Sequence, residues 1–369
     1  MDGADFIIIG GGIAGLSAAA RLAAHGRVIV LEGEDALGYH SSGRSVSTSH
    51  YGIGNAVVKA LTQHSRPFFE AQPAGFSDTP IAHFFPSLYV AEERTLPLLD
   101  ALAAAMGEVT NAVERLDAKG IHRLCPVVRS GPGGAIAALN DPTGLKLDAD
   151  ALLHGFARQF RALGGEIRLG HRVASIAHKA GQWVVDEALS APVLINAAGA
   201  WGDVVAGLAG VTPLGLEPKR RTIIAVDPGV DMTGWPFVHS ITKDFYMLPE
   251  AGQLLVSPVD EVEDEPCDAQ PDDYDIAYAA DRLEHYTTLK VTRIAHRWAG
   301  LRTFTSDRTP TAGFAPDAPG FFWLCGQGGY GLQTAPAMAA AVEALIGGAP
   351  WPFEDVTAAR IAPDRLLAR

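Results

Sequence analysis

The feature that constrains this chain most is a strand–turn–helix–strand signature at its very start. Phe6 to Ile9 is a short apolar run rich in β-branched residues, the pattern of a parallel strand buried on both faces. Gly10-Gly-Gly-Ile-Ala-Gly15 follows at once and satisfies G-x-G-x-x-G. Ala14 to Ala24 reads as a small-residue helix with Gly26 placed to end it, Val28 to Leu31 as a second buried strand, and Glu32 stands at that strand's end. In such a unit Gly10 makes the tight turn, Gly12 admits a pyrophosphate against the backbone, and Gly15 lets the helix pack close to the strand. The helix N-terminus, at Ile13 and Ala14, offers free N–H groups and a positive dipole end to phosphates. An acidic residue about 20 positions past the glycines accepts bonds from a ribose hydroxyl, and Glu32 is so placed. Alone, G-x-G-x-x-G occurs in ordinary turns. With strand, helix, second strand and acid in register, it is a site for an adenine dinucleotide.

Length and charge narrow the rest. A chain of 369 residues holds about two domains and a sizeable core. No apolar stretch reaches the roughly 18 residues of a spanning helix, and Met1 to Asp5 lacks the basic flank of a signal peptide. Cys125, Cys267 and Cys325 are too scattered for a disulfide framework or a metal knuckle, so no metal is expected. A reducing cytoplasm fits, with peripheral contact with the inner membrane as a route for electrons to quinone. The net charge of −13 argues against a nucleic-acid partner.

Beyond Glu32, Gly38-Tyr-His-Ser-Ser-Gly-Arg-Ser45 is dense in glycine and serine. It is either an ordinary exposed loop or, coming straight after a nucleotide-binding strand, a donor of hydroxyl and backbone bonds to the cofactor through His40, Ser41, Ser42, Arg44 and Ser45. His50 and Tyr51 precede a helix over 56–70, and a second helical patch runs from Leu96 to Met106. Asp148 or Asp150 caps a helix over 151–163 that Gly164-Gly165 stops. Strands are expected over 166–169, 172–178 and 182–186, and an apolar strand runs into Asn196-Ala-Ala-Gly-Ala-Trp201. Strands follow at 221–226 and 245–248, with Pro249 to Gly252 a hairpin turn to Leu254-Leu-Val256. The acidic run Asp260 to Asp275 reads as a solvated loop, the sharper alternative being a substrate lid, and a helix is expected over 281–289. Phe321 to Cys325, the glycine turn 326–331 and an alanine-rich helix over 334–346 form a second unit that aims a helix N-terminus at something electron-rich. Cys325, in an apolar strand, is a packing residue rather than a flavin tether.

Together these segments resemble the D-amino-acid oxidase/glycine oxidase family of FAD enzymes. The residues that carry the likeness are Ile9 to Gly15, Glu32, Asn196 to Trp201, Trp298-Ala-Gly-Leu-Arg302 and Gly326-Gln-Gly-Gly-Tyr-Gly-Leu332. Within that family the chain most resembles the bacterial D-arginine dehydrogenases, through 38–45, Leu208 to Arg221 and Gly328 to Thr334. The resemblance implies an α/β fold: a Rossmann-like FAD-binding domain from 1–85, 145–215 and 300–369, and a discontinuous α+β substrate domain on a mixed sheet from 86–144 and 216–299. It implies FAD contacts from the residues of the glycine fingerprint and the 38–45 loop, and from Val173, Ala198, Gly199, Trp201 and 329–334 (Gly329, Tyr330, Gly331, Leu332, Gln333, Thr334). It also implies hydride transfer from a substrate Cα to the flavin, giving an imine that water hydrolyses to a 2-oxo acid and ammonia. The electrons would pass on to a quinone, a dye or oxygen. The dipole of the last helix, acting through Gly329 to Thr334, would stabilise the reduced cofactor.

By the same likeness Arg302 clamps the substrate carboxylate, a task suited to the planar guanidinium fork, Tyr246 bonds the same carboxylate, and Arg221 stands on the pocket wall. The plain alternatives are surface ion pairs for the arginines and a core tyrosine. His50 is an active-site residue or a solvated loop histidine. The departures concern the substrate. D-arginine dehydrogenases have a histidine, a lid tyrosine and a glutamate where this chain has Thr48, Ile53 and Ser87. A substrate guanidinium would lose its partner at Ser87. Neutral or apolar D-amino acids are therefore expected, with glycine, sarcosine or another secondary amino acid as the alternative. The fingerprint alone would also suit a nicotinamide dehydrogenase, which the second glycine unit disfavours, or a flavin-bearing binding protein, which Arg302 and Tyr246 disfavour.

Overall fold

The computed structural model describes residues 2–367. A six-stranded sheet runs in the order Glu166–Arg168, Val28–Leu31, Phe6–Ile9, Val193–Asn196, Phe321–Cys325, Thr311–Phe314. The first five strands are parallel and the last is antiparallel. Alternation along each strand serves two faces. Phe6, Ile8, Val28 and Val30 pack on the helices Ile13–Leu22, Ala56–Glu70 and Gly331–Gly347, while Ile7, Ile9, Ile29 and Leu31 pack on a four-stranded sheet and the helix Gly202–Ala209. Both faces are covered, which is why these strands are continuous apolar runs.

A mixed nine-stranded sheet is the second layer. Its path is Val262–Glu263, Glu217–Val226, Gln253–Ser257, Tyr246–Glu250, Phe237–Ser240, Ser87–Ala91, Ala137–Asp141, Glu114–Asp117, and Ile294–Phe304 pairs along Glu217–Val226. Leu88, Val238, Met247 and Val256 face the helix Asp273–Tyr286 through Ile276, Ala279 and Leu283. The opposite face carries a row of cross-strand partners, Tyr89, His239, Tyr246 and Ser257, one per strand. Arg221 pairs with Gly300 on that face, and Arg302 lies two residues along from Gly300. This face looks onto the carboxyl ends of the parallel strands, the position at which open α/β sheets bind ligands.

Several expected elements shift, each for a local reason. The first helix ends at Leu22, and Gly26 is required by space instead: a Cβ there would collide with the Asp5 carboxylate, which accepts from Arg27 N at 2.7 Å. Only Ile176–Lys179 of the expected strand over 172–178 is paired, because the chain before it wraps the Asp186 carboxylate, which accepts from Ala174 N and Ser175 N at 3.0 and 2.8 Å. The helix expected over 281–289 occupies Asp273–Tyr286. Asp272 caps it by accepting from Tyr274 N at 2.8 Å, and Asp273 and Asp275 sit in its first turn, where carboxylates suit the dipole. The acidic run is mostly the exposed loop expected, but the side chains of Asp260 and Asp275 are buried, and each pairs with an arginine of the strand Glu217–Val226. The last helix begins at Gly331, three residues before the expected Thr334. No helix among the described residues is long and apolar enough to cross a membrane.

Candidate active site

One cavity of about 930 Å³ lies between the two sheets, and with one exception its lining contains every residue individually assigned a cofactor or substrate contact. At its nucleotide end Gly10 has φ +113°, a conformation open to glycine, and a Cβ there would overlap the Ala197 carbonyl. Above Gly12 a Cβ would meet nothing closer than Ser42 Oγ at 3.4 Å, so the backbone at the helix N-terminus is open to a phosphate. Ser42 Oγ accepts from Ile13 N at 3.1 Å, tying the serine-rich loop to that first turn. Glu32 accepts from Gly11 N (2.7 Å) and Glu34 N (2.9 Å) while lining the cavity. His40 pairs with Glu34 at 3.0 Å and packs against Trp201, ring centroids 4.6 Å apart. Val173, Ala198 and Gly199 complete this end.

Some side chains point elsewhere than the likeness implied. The Arg44 guanidinium donates to Ala269 O and Ala299 O, both at 3.1 Å, and pairs with Asp268, so it fastens the loop to the nine-stranded sheet. Ser41 Oγ donates to Leu301 O at 2.5 Å, and Ser45 Oγ accepts from Ser47 N at 3.0 Å. At the start of the last helix Gly329, Tyr330, Gly331, Leu332 and Gln333 line the cavity. The Gln333 amide is engaged, accepting from His50 N at 3.3 Å and donating to Thr62 Oγ1 at 2.7 Å. Thr334 is the exception: buried one turn in, it donates its hydroxyl to Tyr330 O at 2.9 Å. The earlier helix start moves the free N–H groups to Gly331–Gln333.

Arg302 reaches the cavity from the end of the strand Ile294–Phe304, with Tyr246 and Arg221 on the same wall. Its guanidinium lies flat against Gly329, where a Cβ would overlap it. Burial, then the charge of Arg221, pushes Arg302 down to about 9, so at neutral pH the cation persists but is under-compensated. Burial raises the Tyr246 phenol, which stays a neutral donor. Arg221 donates through Nε to Asp260 O at 2.8 Å. Neither arginine is a plain surface ion pair: both line the cavity beside the start of the last helix, with Tyr246 on the same wall, a setting whose positive charge suits a carboxylate.

The Gly329 contact gives a first prediction. Gly329→Ala should leave the melting temperature almost unchanged, because only the far end of a flexible side chain has to move. It should lower kcat/KM by about 10²-fold, since a displacement of about 1 Å suffices for that. Steady-state kinetics and a thermal melt check both halves.

The other end of the wall is neutral. His50 is 2% exposed, and its Nδ1 lies 2.6 Å from Tyr89 Oη. Tyr89 stacks on His239 at 4.8 Å, and His239 lies 3.8 Å from Phe237. Burial lowers His50 to about 4; burial and the His50 charge hold His239 well below the usual range. His239 went unrecognised in the sequence because Phe237-Val-His-Ser240 is too short and mixed to read as a strand. The one available signal was the alternation that puts Phe237 and His239 on one face.

A second prediction follows from His50. Its folded pKa lies below its unfolded value of about 6.5, so the unfolded chain binds the extra proton. The stability from keeping His50 neutral is fully present above about pH 6.5 and is lost as pH falls toward 4, to a total of roughly 3 kcal/mol. Melting temperature should drop across that window, and less so in His50→Gln.

A glycine turn under a parallel strand, a second helix N-terminus across the cavity and arginines lining the wall between them are the features of a flavoprotein oxidoreductase. The FAD dependent oxidoreductase (DAO) family matches residues 5–345, and the chain belongs to it. Its cofactor is FAD, and the open backbone over Gly12 fits that group. Among relatives, the FAD-dependent oxidoreductase domain-containing protein 1 of Bos taurus is 30% identical over 178 residues, 42% of this chain and 35% of that protein. The tRNA 5-methylaminomethyl-2-thiouridine biosynthesis bifunctional protein of Burkholderia orbicola is 26% identical over 98% of this chain and 60% of that protein. The chain thus spans well under two thirds of these relatives' length. Similar solved structures include the L-proline dehydrogenase of P. horikoshii (TM-score 0.85, 17% identity, 99% and 98% of the two chains). The glycine oxidase of Geobacillus kaustophilus matches comparably (0.83, 18%, 96% and 97%).

Proposed function

We propose that this protein is an FAD-dependent dehydrogenase or oxidase that deaminates a neutral or apolar D-amino acid to a 2-oxo acid and ammonia. One observation carries the reading: the partly buried, under-compensated guanidinium of Arg302 on one cavity wall with Tyr246, beside the N-terminus of the last helix. Bound FAD would supply the acceptor for the hydride of the substrate Cα–H bond. The fingerprint, the 38–45 loop, Val173, Ala198 to Trp201 and 329–333 would hold it, on a cofactor domain drawn from 1–85, 145–215 and 300–369. On the facing domain, Arg302 grips the substrate carboxylate through its fork, and the Tyr246 hydroxyl donates a further bond. That clamp fixes the Cα–H bond relative to the cofactor, while Phe237, Tyr89 and the neutral His50 exclude water from the side-chain end.

The likeness to D-arginine dehydrogenases would then extend to the clamp and stop at the side chain. The acidic groups lining the cavity among the described residues are Glu32, Glu34, Glu261 and Asp307. None pairs with the side-chain end formed by Tyr89, His50 and His239, whose contacts are with one another and with Phe237. Ser87 is buried behind the lining and offers no carboxylate. A cationic side chain would lie there unpaired, at a cost of several kcal/mol.

Anaerobic mixing with D-, L- and N-methyl amino acids, followed at the flavin absorbance, tests the reading. Neutral D-amino acids should bleach the flavin fastest. D-arginine ahead of all others would overturn the specificity, faster N-methyl substrates would favour a secondary-amine enzyme, and no bleaching by any amine would remove the activity.

A further inference from the structure

The acidic segment that precedes the helix Asp273–Tyr286 does more than bridge two elements. Its Glu261 turns into the cavity and meets three guanidinium groups: Arg308 at 2.9 Å, Arg221 at 3.4 Å and Arg302 at 3.5 Å. Burial would raise this carboxyl, but the Arg308 bond and the charges of Arg302, Arg308 and Arg221 hold it below the usual carboxylate range. It is therefore an anion of the chain's own, resting on the arginine that the proposed function assigns to the substrate.

A count of charges shows what this does. The cluster holds three cations, Arg221, Arg302 and Arg308. Against them stand Glu261 and Asp260, whose carboxylate lies 3.7 Å from Arg221 Nε and accepts from Thr222 N (2.7 Å) and Thr222 Oγ1 (3.0 Å). The neighbouring charges are matched elsewhere: Lys219 with Glu217, Arg220 with Asp275, and Asp307 with Arg365. Tyr246 and Tyr330 are held neutral, burial raising both phenols. One positive charge is left over, room for one external carboxylate. Without Glu261 two would remain, and the cluster would suit a ligand placing two carboxylates side by side.

We propose that Glu261 is a specificity-determining residue: it completes the arginine cluster so that a single external carboxylate balances it. This rests on Arg302 as the carboxylate clamp. The same contact explains why the segment Asp260–Glu261 folds inward although its sequence is acidic: an unbalanced trio of arginines around one cavity would repel itself.

The test is titration of the flavin absorbance of the holoenzyme with two unreactive ligands, acetate and malonate. In malonate both carboxylates fall within the cluster. Glu261→Gln should raise malonate affinity relative to acetate by about tenfold, and the change should shrink with added salt. Glu261→Asp, which keeps the charge, should hold the wild-type ratio. An unchanged ratio in Glu261→Gln, or an Asp variant that behaves like the Gln variant, overturns the proposal. Should Glu261→Gln fail to fold, Arg308→Gln removes one cation from the half-exposed side and must shift the ratio toward acetate. The reading separates from the activity: an altered ratio in a protein whose flavin no amine bleaches removes the proposed function alone. Normal bleaching with a fixed ratio removes the role of Glu261 alone.

Discussion

Replacing Arg302 by alanine is expected to lower kcat/KM for the preferred amino acid by roughly 10³-fold, with most of the loss in KM. Burial sets the size of the effect. A guanidinium driven down to about 9 by burial and by Arg221 is solvated poorly by its own protein. A substrate carboxylate supplies charge and bidentate acceptors together. Truncating one partner of such a pair costs about 2–5 kcal/mol, and 4 kcal/mol corresponds to about three decades in rate or affinity. Arg302→Lys keeps the charge and loses the fork, so it should fall between alanine and wild type. Steady-state kinetics with acetate inhibition measured alongside separates binding from chemistry. An alanine variant within about threefold of wild type would show that the carboxylate binds elsewhere.

Gly15→Ala is expected to be the most damaging single change for folding and cofactor retention. A Cβ at Gly15 would overlap the Gly10 carbonyl oxygen. That oxygen belongs to a backbone turn held by Gly10 N donating to Leu31 O at 2.8 Å, so neither partner can yield cheaply. Overpacking of this kind costs about 1–3 kcal/mol in a side-chain core, and more where backbone meets backbone. The helix Ile13–Leu22 would lift off the strand, and its N-terminal N–H groups would leave the phosphate position. The purified variant should carry little FAD and melt several degrees lower. Gly12→Ala is the matched control. Its Cβ would meet Ser42 Oγ at 3.4 Å, an ordinary contact, so the fold should survive while a phosphate loses its space. Full flavin occupancy and an unchanged melt in Gly15→Ala would contradict the packing described.

Two kinds of residue were legible before folding. The glycine fingerprint, Glu32 and the apolar strands obey spacing rules that act over a few residues, so their arrangement could be read directly. Arg302, Tyr246 and Arg221 were legible through the likeness of Trp298–Arg302 and the neighbouring segments to a known family. His239 had no such handle, because a lone histidine in a short mixed strand is distinguished only by what it faces. Arg44 shows what a residue's place in a loop leaves open. Its place in the loop pointed to the cofactor, yet its guanidinium found three acceptors around Ala269, Ala299 and Asp268, on chain more than 220 residues away. Charge patterning showed only part of the acidic run for a similar reason. Most of its sixteen residues are exposed, but Asp260, Glu261 and Asp275 turn to Arg220, Arg221 and Arg302, which two other strands bring alongside.

By itself the order of residues determined the parallel sheet, the dinucleotide turn and the two helix N-termini, because hydrophobic period, glycine spacing and dipole direction are local properties. The tertiary structure alone decided that Arg302, Arg221, Arg308 and Glu261 share one cavity, and that Tyr89, His50 and His239 form its neutral end. Coulomb and desolvation energies depend on distances between segments remote in sequence, and those distances exist only once both sheets have closed on each other.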